Sequence, residues 1–185
     1  ALKLPANITE IGAAAFYGCK GFTGSLDLSA CTQLMKIERD VFSGCSGFTG
    51  ALKLPANITE IGENAFFYCT GFTGSLDLSA CTKLTKIENA AFRNCSGFTG
   101  ELKLPVSLTG IGSDAFSGCT RAEVKLSQNI TKIGSEAFGR AADVLYSDMA
   151  DSYCKKVKIP NGAQYDRIKA LVTGCRYPED RIESY

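Results

Sequence analysis

Cysteine is the residue type in this chain that could do the most chemistry, since nine cysteines are spread over 185 residues. Thiolates bind soft metal ions, and cysteines can pair as disulfides. None of the nine stands in a C-x-x-C pair, and the chain has no histidine. These absences exclude Cys-His and Ser-His nucleophile pairs and every imidazole-containing metal site. The sequence therefore predicts no metal, no cofactor and no enzymatic activity.

The cysteines recur at a regular spacing, which indicates that a repeated structural unit positions them. Five of them form a series whose next place is taken by Ala141: Cys19, Cys45, Cys69, Cys95 and Cys119. Equivalent residues of stacked strands lie about 5 Å apart, which is within disulfide range, but parallel side chains need not turn toward each other. Buried, unpaired thiols are the preferred interpretation. Cys154 and Cys175 are the best candidates for a single bridge.

An internal repeat generates this spacing. Residues 1–50 and 51–100 differ at only twelve positions, and each unit divides again into two coils that begin with L-x-L. The anchors are 2–4, 26–28, 52–54, 76–78 and 102–104, with a looser copy at 124–126. Their separations of about 22 to 26 residues are typical of a leucine-rich-repeat solenoid.

Three apolar columns explain how such a coil buries its side chains. L-x-L alternates in the pattern of a short strand with one buried face. An isoleucine column follows: Ile11, Ile37, Ile61, Ile87, Ile111 and Ile133. A phenylalanine column comes next: Phe16, Phe42, Phe66, Phe92, Phe116 and Phe138. Segments such as AAAFYGC suit one helical turn with Phe and Cys on one face. No coil closes a core alone, so stability must come from stacking.

The stretch LKLPANITEIGENAFFYCTGF resembles the BspA-like leucine-rich repeats of bacterial and protist surface proteins. The resemblance covers residues 1–140, and VKIPNGAQYDRIKALV is similar to the segment that ends such arrays. It implies an α/β repeat: a right-handed solenoid with a curved parallel sheet, short helical turns and a C-terminal cap. It also implies adhesion to matrix proteins or other cells, and a cell-surface or extracellular location.

The tetrapeptide GFTG occurs four times, and the resemblance clarifies its role. The family's repeat has a leucine where this chain has Phe22, Phe48, Phe72 and Phe98. We expect these rings to form a second buried column rather than an exposed strip for sugars. The first glycine of each copy is expected to end the helical turn at positive φ.

The domain boundaries follow from where the register weakens. We expect a repeat array over residues 1–147, with about six coils and an irregular strand at Asp143–Ser147. A capping segment, residues 148–185, should contain a short helix at Asp148–Lys155 and a second at Ala163–Val172. Ile168, Leu171 and Val172 are expected to cover the last coil. No comparable lid is apparent at Ala1, which suggests a fragment whose N-terminal edge can self-associate, although a monomer is expected.

The charged residues at equivalent positions of successive coils indicate a candidate binding surface. The residue inside each L-x-L should point outward, and the column reads Lys3, Asp27, Lys53, Asp77, Lys103, Lys125 and, in VKIP, Lys158. The residue before each isoleucine reads Glu10, Lys36, Glu60, Lys86, Gly110 and Lys132. Both columns alternate in sign over the first four coils, as expected if neighbouring strands form ion pairs.

The acids vanish from both columns toward the C-terminal end. We therefore predict a basic patch of Lys103, Lys125, Lys132 and Lys158 that binds an anionic partner, with Lys53 and Asp77 on the same strand surface. A solvated face with no partner is an equally good interpretation.

The predicted function is non-enzymatic binding of a protein or glycan partner through the solenoid surface. The alternative is a structural spacer that displays another domain and binds nothing itself. A formal net charge of +1 gives no general attraction to nucleic acid. No apolar run is long enough to be a membrane span, and no signal peptide is visible.

Overall fold

The computed structural model describes residues 1–139 and 154–185, and in these ranges the chain forms a solenoid of about six stacked coils. All the named strands that pair do so in parallel. In chain order the strands are β1 (Leu26–Asp27), β2 (Lys36–Ile37), β3 (Leu52–Lys53), β4 (Glu60–Ile61), β5 (Lys86–Ile87), β6 (Gly100–Lys103), β7 (Gly110–Ile111), β8 (Ala122–Lys125), β9 (Lys132–Ile133), β10 (Lys156–Ile159) and β11 (Ile182–Ser184).

The strands form three sheets that follow the sequence columns. Strands from the L-x-L anchors and the VKIP segment pair as β1-β3 and as β6-β8-β10, and β11 extends the second of these sheets. The isoleucine column forms β2-β4-β5-β7-β9. Pairing keeps equivalent residues opposite each other, as in Leu26 with Leu52 and Ile61 with Ile87. The leucines and isoleucines of both columns point into one continuous core. The predicted fold class, a leucine-rich-repeat solenoid, is confirmed.

Two stacks of phenylalanine rings run through this core. The rings of Phe42 and Phe66 lie 5.5 Å apart and nearly parallel, and those of Phe48 and Phe72 lie 5.4 Å apart. The two stacks meet edge to face, for example between Phe66 and Phe72 at 6.3 Å. Phe48, Phe72 and Phe98 of the GFTG copies are fully buried, so the second aromatic column is internal as predicted.

The segments predicted as helical turns are consecutive hydrogen-bonded turns instead. The N–H of Cys45 donates to the carbonyl of Phe42 in its own coil, at 3.1 Å. The N–H of Phe42, however, donates to Ala65 of the next coil, at 2.9 Å. A residue at positive φ, such as Asp40 at 58°, produces this change of direction. A helix would satisfy its N–H groups internally, whereas these turns use every second one to join coils.

The first glycine of GFTG serves close packing between coils. A Cβ added to Gly71 would lie 2.2 Å from the carbonyl oxygen of Phe48, and one on Gly97 would lie 2.1 Å from that of Phe72. The expectation of positive φ at this glycine is wrong, because the positive angles fall on the last glycine of three copies, such as Gly24 at 77°. The GFTG segments therefore allow neighbouring coils to pack closely against each other.

The cysteine column is a series of free, largely buried thiols. Each thiol after the first donates a hydrogen bond to the phenylalanine carbonyl of the preceding coil. The pairs are Cys45 to Phe16 (3.0 Å), Cys69 to Phe42 (3.0 Å), Cys95 to Phe66 (3.0 Å), Cys119 to Phe92 (3.2 Å) and Cys154 to Phe116 (3.2 Å). Cys154 thus continues the column, in the place predicted for Ala141, which lies outside the described residues.

No disulfide links Cys154 to Cys175, since both are free and the Cys175 thiol donates to Val172 at 2.8 Å. Like most of the other thiols in the described part of the chain, the two donate to backbone carbonyls and form no bridge. Stacking, not covalent cross-linking, therefore supports the fold.

A C-terminal helix covers the last described coil. Helix α1 (Tyr165–Gly174) lies close to the predicted helix, and its Ile168 and Val172 are buried while Leu171 packs at the edge of the core. A 3-10 turn (Glu179–Arg181) follows before β11. The N–H of Glu136 donates to the carbonyl of Cys175 at 2.9 Å, so the segment after α1 completes the ladder between coils.

Two predicted elements fall wholly or mainly outside the described residues. They are the strand at Asp143–Ser147 and the helix at Asp148–Lys155. The boundary between residues 147 and 148 therefore stays a prediction. In the two described ranges, no helix has both the length and the apolar character needed to cross a membrane.

Candidate partner-binding surface

The outward residues of the L-x-L strands form one column in register. Asp27 lies opposite Lys53, and Asp77 lies opposite Lys103. The column then continues through Lys103 opposite Lys125, and Lys125 opposite Lys158. The strands position these side chains because alternate residues of a strand share a face, and the buried leucines fix which face that is.

The first part of the column is neutralised by ion pairs, as the alternation predicts. Lys53 lies 3.2 Å from Asp27, and Lys103 lies 3.3 Å from Asp77. Hydrogen bonds from Ser79 and then the Lys103 ammonium hold the pKa of Asp77 below its ordinary value. These pairs are exposed, so each contributes only about 0.2 to 1 kcal/mol.

The second part of the column does contain carboxylates, contrary to the expectation that acids vanish there. The Lys158 ammonium lies 2.9 Å from Glu123 and 3.7 Å from Glu101, and Lys156 pairs with Glu183 of β11. Hydrogen bonds from Lys158 and Lys155 lower the pKa of Glu123. The predicted basic patch is a mixed-charge surface.

These carboxylates were missed because only the middle residue of L-x-L was considered. Glu101 and Glu123 stand two residues before Lys103 and Lys125, and a period of two places them on the same strand face. That signal was present in the sequence. Strand β11, which brings in Glu183, was not predicted, since no L-x-L pattern marks it.

Lys125 differs from its neighbours in the column. Among the described residues, no carboxylate lies within 4.0 Å of its ammonium. Its Nζ sits 4.1 Å from the centre of the Tyr185 ring, a cation–π contact. The Tyr185 hydroxyl donates to the carbonyl of Leu126 at 2.7 Å, which fixes the ring.

A shallow groove opens beside Lys125. Its volume is about 240 Å³, and Glu101, Lys103 and Tyr185 contribute to its lining. Val106 lies at its edge with 69% of its surface exposed. The groove therefore combines one cation that lacks a carboxylate partner with an apolar rim.

Lys132 belongs to a different sheet from the other predicted lysines. It lies in β9 opposite Gly110, whereas Lys103, Lys125 and Lys158 lie in the sheet that contains β6, β8 and β10. A cleft of about 300 Å³ separates Lys132 from Lys86, whose ammonium is hydrogen bonded to Glu88. The structure thus brings together three of the four predicted lysines.

Metal and thiol chemistry find no support on this surface. Within residues 1–139 and 154–185, no cluster of three or more His, Cys, Asp or Glu side chains could hold a metal ion. Burial raises the pKa of the Cys69 thiol to about 12, which keeps it protonated at neutral pH. The arrangement suits recognition by charge and contact.

One solved structure with a TM-score above 0.5 agrees with the coil architecture. A crystal structure of a T. pallidum leucine rich repeat protein has a TM-score of 0.58 and 26% identity, covering 71% of this chain and 67% of that one. A leucine rich cell surface protein from Faecalibacterium prausnitzii has a TM-score of 0.45 and 19% identity, covering 77% of this chain and 42% of that one. A comparison with curated protein sequences gave no match.

The repeat itself matches a described family. The sequence profile of the BspA type leucine rich repeat region matches in six copies, over residues 1–80 and 73–152. This match spans most of the chain and includes every L-x-L anchor up to residue 126. The chain belongs to the BspA-type leucine-rich repeat family.

Proposed function

We propose that this solenoid is a non-enzymatic recognition module of a cell-surface or secreted protein, and that it binds an anionic group of a protein or glycan partner at Lys125. The family supplies the general expectation of an interaction or scaffold module. The observation that carries the specific proposal is the Lys125 ammonium, which lies between two in-register lysines and has no carboxylate within 4.0 Å in the described part of the chain.

The charge balance around Lys125 favours a small anionic group over a polyanion. Lys103 is already paired with Asp77, and Lys158 with Glu123 and Glu101. Of the described lysines in this column that line the groove, Lys125 therefore carries the one uncompensated positive charge, and the exposed Val106 lies beside it. A single carboxylate or sulfate with an apolar neighbour fits this arrangement better than an extended acidic chain, which the glutamates would repel.

The alternative function, a structural spacer, also has an observation in its favour. Most exposed charges of the column are satisfied by neighbouring coils, as in Lys53 with Asp27. A spacer needs this internal pairing and nothing more. A binding measurement distinguishes the two functions, because a spacer binds no ligand.

Charge reversal at Lys125 should weaken binding. The intact chain would be screened at two salt concentrations against immobilised matrix proteins and against short glycans that carry a single carboxylate or sulfate. For any probe that binds, we expect Lys125→Glu to lower affinity by about fivefold to tenfold at low salt, because an attraction becomes a repulsion. The difference should shrink at high salt as the charges are screened.

Lys83→Glu is the matched control, since it makes the same change of charge on an exposed lysine. Lys83 takes the place of Gln33 in the first unit and has no ion pair with any described residue. It should leave affinity unchanged. Equal losses in both variants would mean that net charge alone governs binding, and a screen without any binding would favour the spacer.

A further inference from the structure

A cleft on the turns of the first three coils has the features of a separate ligand site. It lies between coils rather than on the L-x-L strands, and its volume is about 560 Å³, within the range of small-molecule sites. Tyr17 lines it from the first coil, Ser43 and Gly44 from the second, and Phe67 and Tyr68 from the third. We call this the turn cleft.

Aromatic side chains form both walls of the turn cleft. Tyr17 and Tyr68 are 65% and 52% exposed, whereas the phenylalanines of the two ring stacks lie in the core. The rings of Phe67 and Tyr68 lie 5.5 Å apart and make one broad wall. Coils repeat about every 5 Å, so walls two coils apart stand about 10 Å from each other, which leaves room for a single six-membered ring.

The floor carries a hydroxyl that lacks a protein partner. Ser43 is only 3% exposed and lines the cleft, and its side chain makes no hydrogen bond to any residue in the described ranges. The hydroxyl oxygen itself is not fully buried, so it reaches the cleft and can pair with a hydroxyl group of a ligand. The Ser43 hydroxyl therefore faces a cleft that can admit a ligand one sugar ring wide.

Most backbone N–H groups around the floor are already hydrogen bonded within the solenoid. The N–H of Gly18 donates to Ser43 at 2.7 Å, and that of Gly44 donates to Phe67 at 2.7 Å. The N–H of Tyr68 donates to Arg93 at 2.9 Å. These bonds leave few backbone donors in the described residues for a peptide strand or an anion. Side-chain hydroxyls and ring faces are the main groups that the cleft offers to a ligand.

Several residues that line the cleft also differ between the two 50-residue units. Five of the twelve differences between the two 50-residue units fall at 13, 14, 17, 18 and 20, which correspond to positions 63, 64, 67, 68 and 70. In the second unit the series from Phe67 continues with Arg93 and Ser117, so the second aromatic wall is missing there. The strands and GFTG copies, by contrast, are identical between the units.

We propose that the turn cleft binds a neutral sugar, with one hexose ring between Tyr17 and the Phe67–Tyr68 wall. The apolar C–H face of a pyranose packs on aromatic rings, and its hydroxyls match the hydroxyls of Ser43 and the tyrosines. Lys20 at the rim adds donors, and no acidic side chain lines the cleft in the described part of the chain. The site is separate from Lys125 and does not depend on the function proposed above.

The test is a titration of the intact chain with neutral hexasaccharides of glucose and mannose. The chain contains no tryptophan and seven tyrosines, so a change in tyrosine fluorescence that is lost in Tyr17→Ser reports on the cleft walls. Saturation-transfer NMR identifies the sugar protons in contact. We expect saturable binding that is insensitive to salt. Lys125→Glu should leave it unchanged, which makes failure here distinguishable from failure of the Lys125 proposal.

Three variants taken mostly from the repeat itself test the contacts without disturbing the fold. Tyr17→Ser introduces the residue found at the equivalent position 43, and Tyr68→Asn introduces that of Asn94, which has nearly the same backbone φ, 60° against 59°. Each should weaken sugar binding by about fivefold. Ser43→Ala should do the same through the lost hydroxyl while leaving thermal stability unchanged or raised.

The control is Met35→Thr, which removes another exposed apolar side chain and introduces the residue found at position 85. It should leave affinity unchanged. The proposal is overturned if no hexasaccharide binds saturably, or if Tyr17→Ser and Met35→Thr behave alike. It is also overturned if a polyproline peptide binds, no sugar does, and Tyr17→Ser abolishes the binding of the peptide. The aromatic walls would then be a peptide-binding site.

Discussion

Replacement of Gly71 by alanine should destabilise the solenoid by about 3 kcal/mol or more, because the new methyl group has no space. Its Cβ would lie 2.2 Å from the carbonyl oxygen of Phe48 and 2.6 Å from that of Ser46. Both are backbone atoms, so the coils themselves must separate. The measurement is the free energy of unfolding from urea denaturation of the variant and the wild type.

Gly21→Ala is the matched control within the same tetrapeptide. No atom lies within 4 Å of a Cβ added to Gly21, and its φ is not positive. Alanine should therefore change stability there by no more than about 1 kcal/mol. Equal effects at Gly21 and Gly71 would contradict the conclusion that GFTG acts through contact between coils.

Raising the pH from about 9 toward 11 should progressively destabilise the protein and finally unfold it, because the buried thiols must remain protonated in the folded state. Burial raises the pKa of Cys69 and of Cys119 from 9.0 to about 12. Burial also raises the pKa of Cys95 and of Cys154 well above that ordinary value. In the unfolded chain these thiols ionise near pH 9.

The direction of this effect follows from proton linkage. A group whose pKa is higher in the folded state contributes its full stability below the unfolded pKa and loses it as the pH rises. At pH 10 the loss is about 1 kcal/mol for each fully buried thiol. Several such thiols together approach the total stability of a typical domain, about 5 to 15 kcal/mol.

Urea denaturation at a series of pH values measures this loss, and a variant in which Cys69, Cys95 and Cys119 are alanine is its control. Each thiol removed should flatten the slope of stability against pH near pH 10 by about 1.4 kcal/mol per unit. The variant should also be less stable at pH 7, since it loses the thiols' packing. An unchanged slope would show that the cysteine column does not control alkaline stability.

The coil architecture could be predicted from sequence because its periodicity is explicit. L-x-L, the isoleucines and the phenylalanines recur in register, and the structure buries them as expected. The helical turns could not be predicted correctly, because an i, i+3 spacing of Phe42 and Cys45 suits both a helix and a pair of tight turns. The choice depends on Ala65 of the next coil, a neighbour that no local pattern specifies.

The candidate sites were predicted less completely. The in-register column of Lys103, Lys125 and Lys158 follows from the repeat, but the pairing of Lys158 with Glu123 depends on how the last strands align. The turn cleft was not predicted, although several of its lining residues occupy positions where the two units differ, such as 17 and 67. The stacking of the first three coils places these side chains around Ser43, and the sequence alone does not show this arrangement.

The most direct test of the central claim is to locate a bound anion by NMR. The side-chain signals of Lys125 and the ring signals of Tyr185 would be followed while the chain is titrated with a short hyaluronan fragment, whose carboxylates are the probe. The proposed function predicts saturable shifts at Lys125 and Tyr185, with Lys83 unaffected. Shifts confined to other lysines, or equal at Lys83 and Lys125, would contradict it.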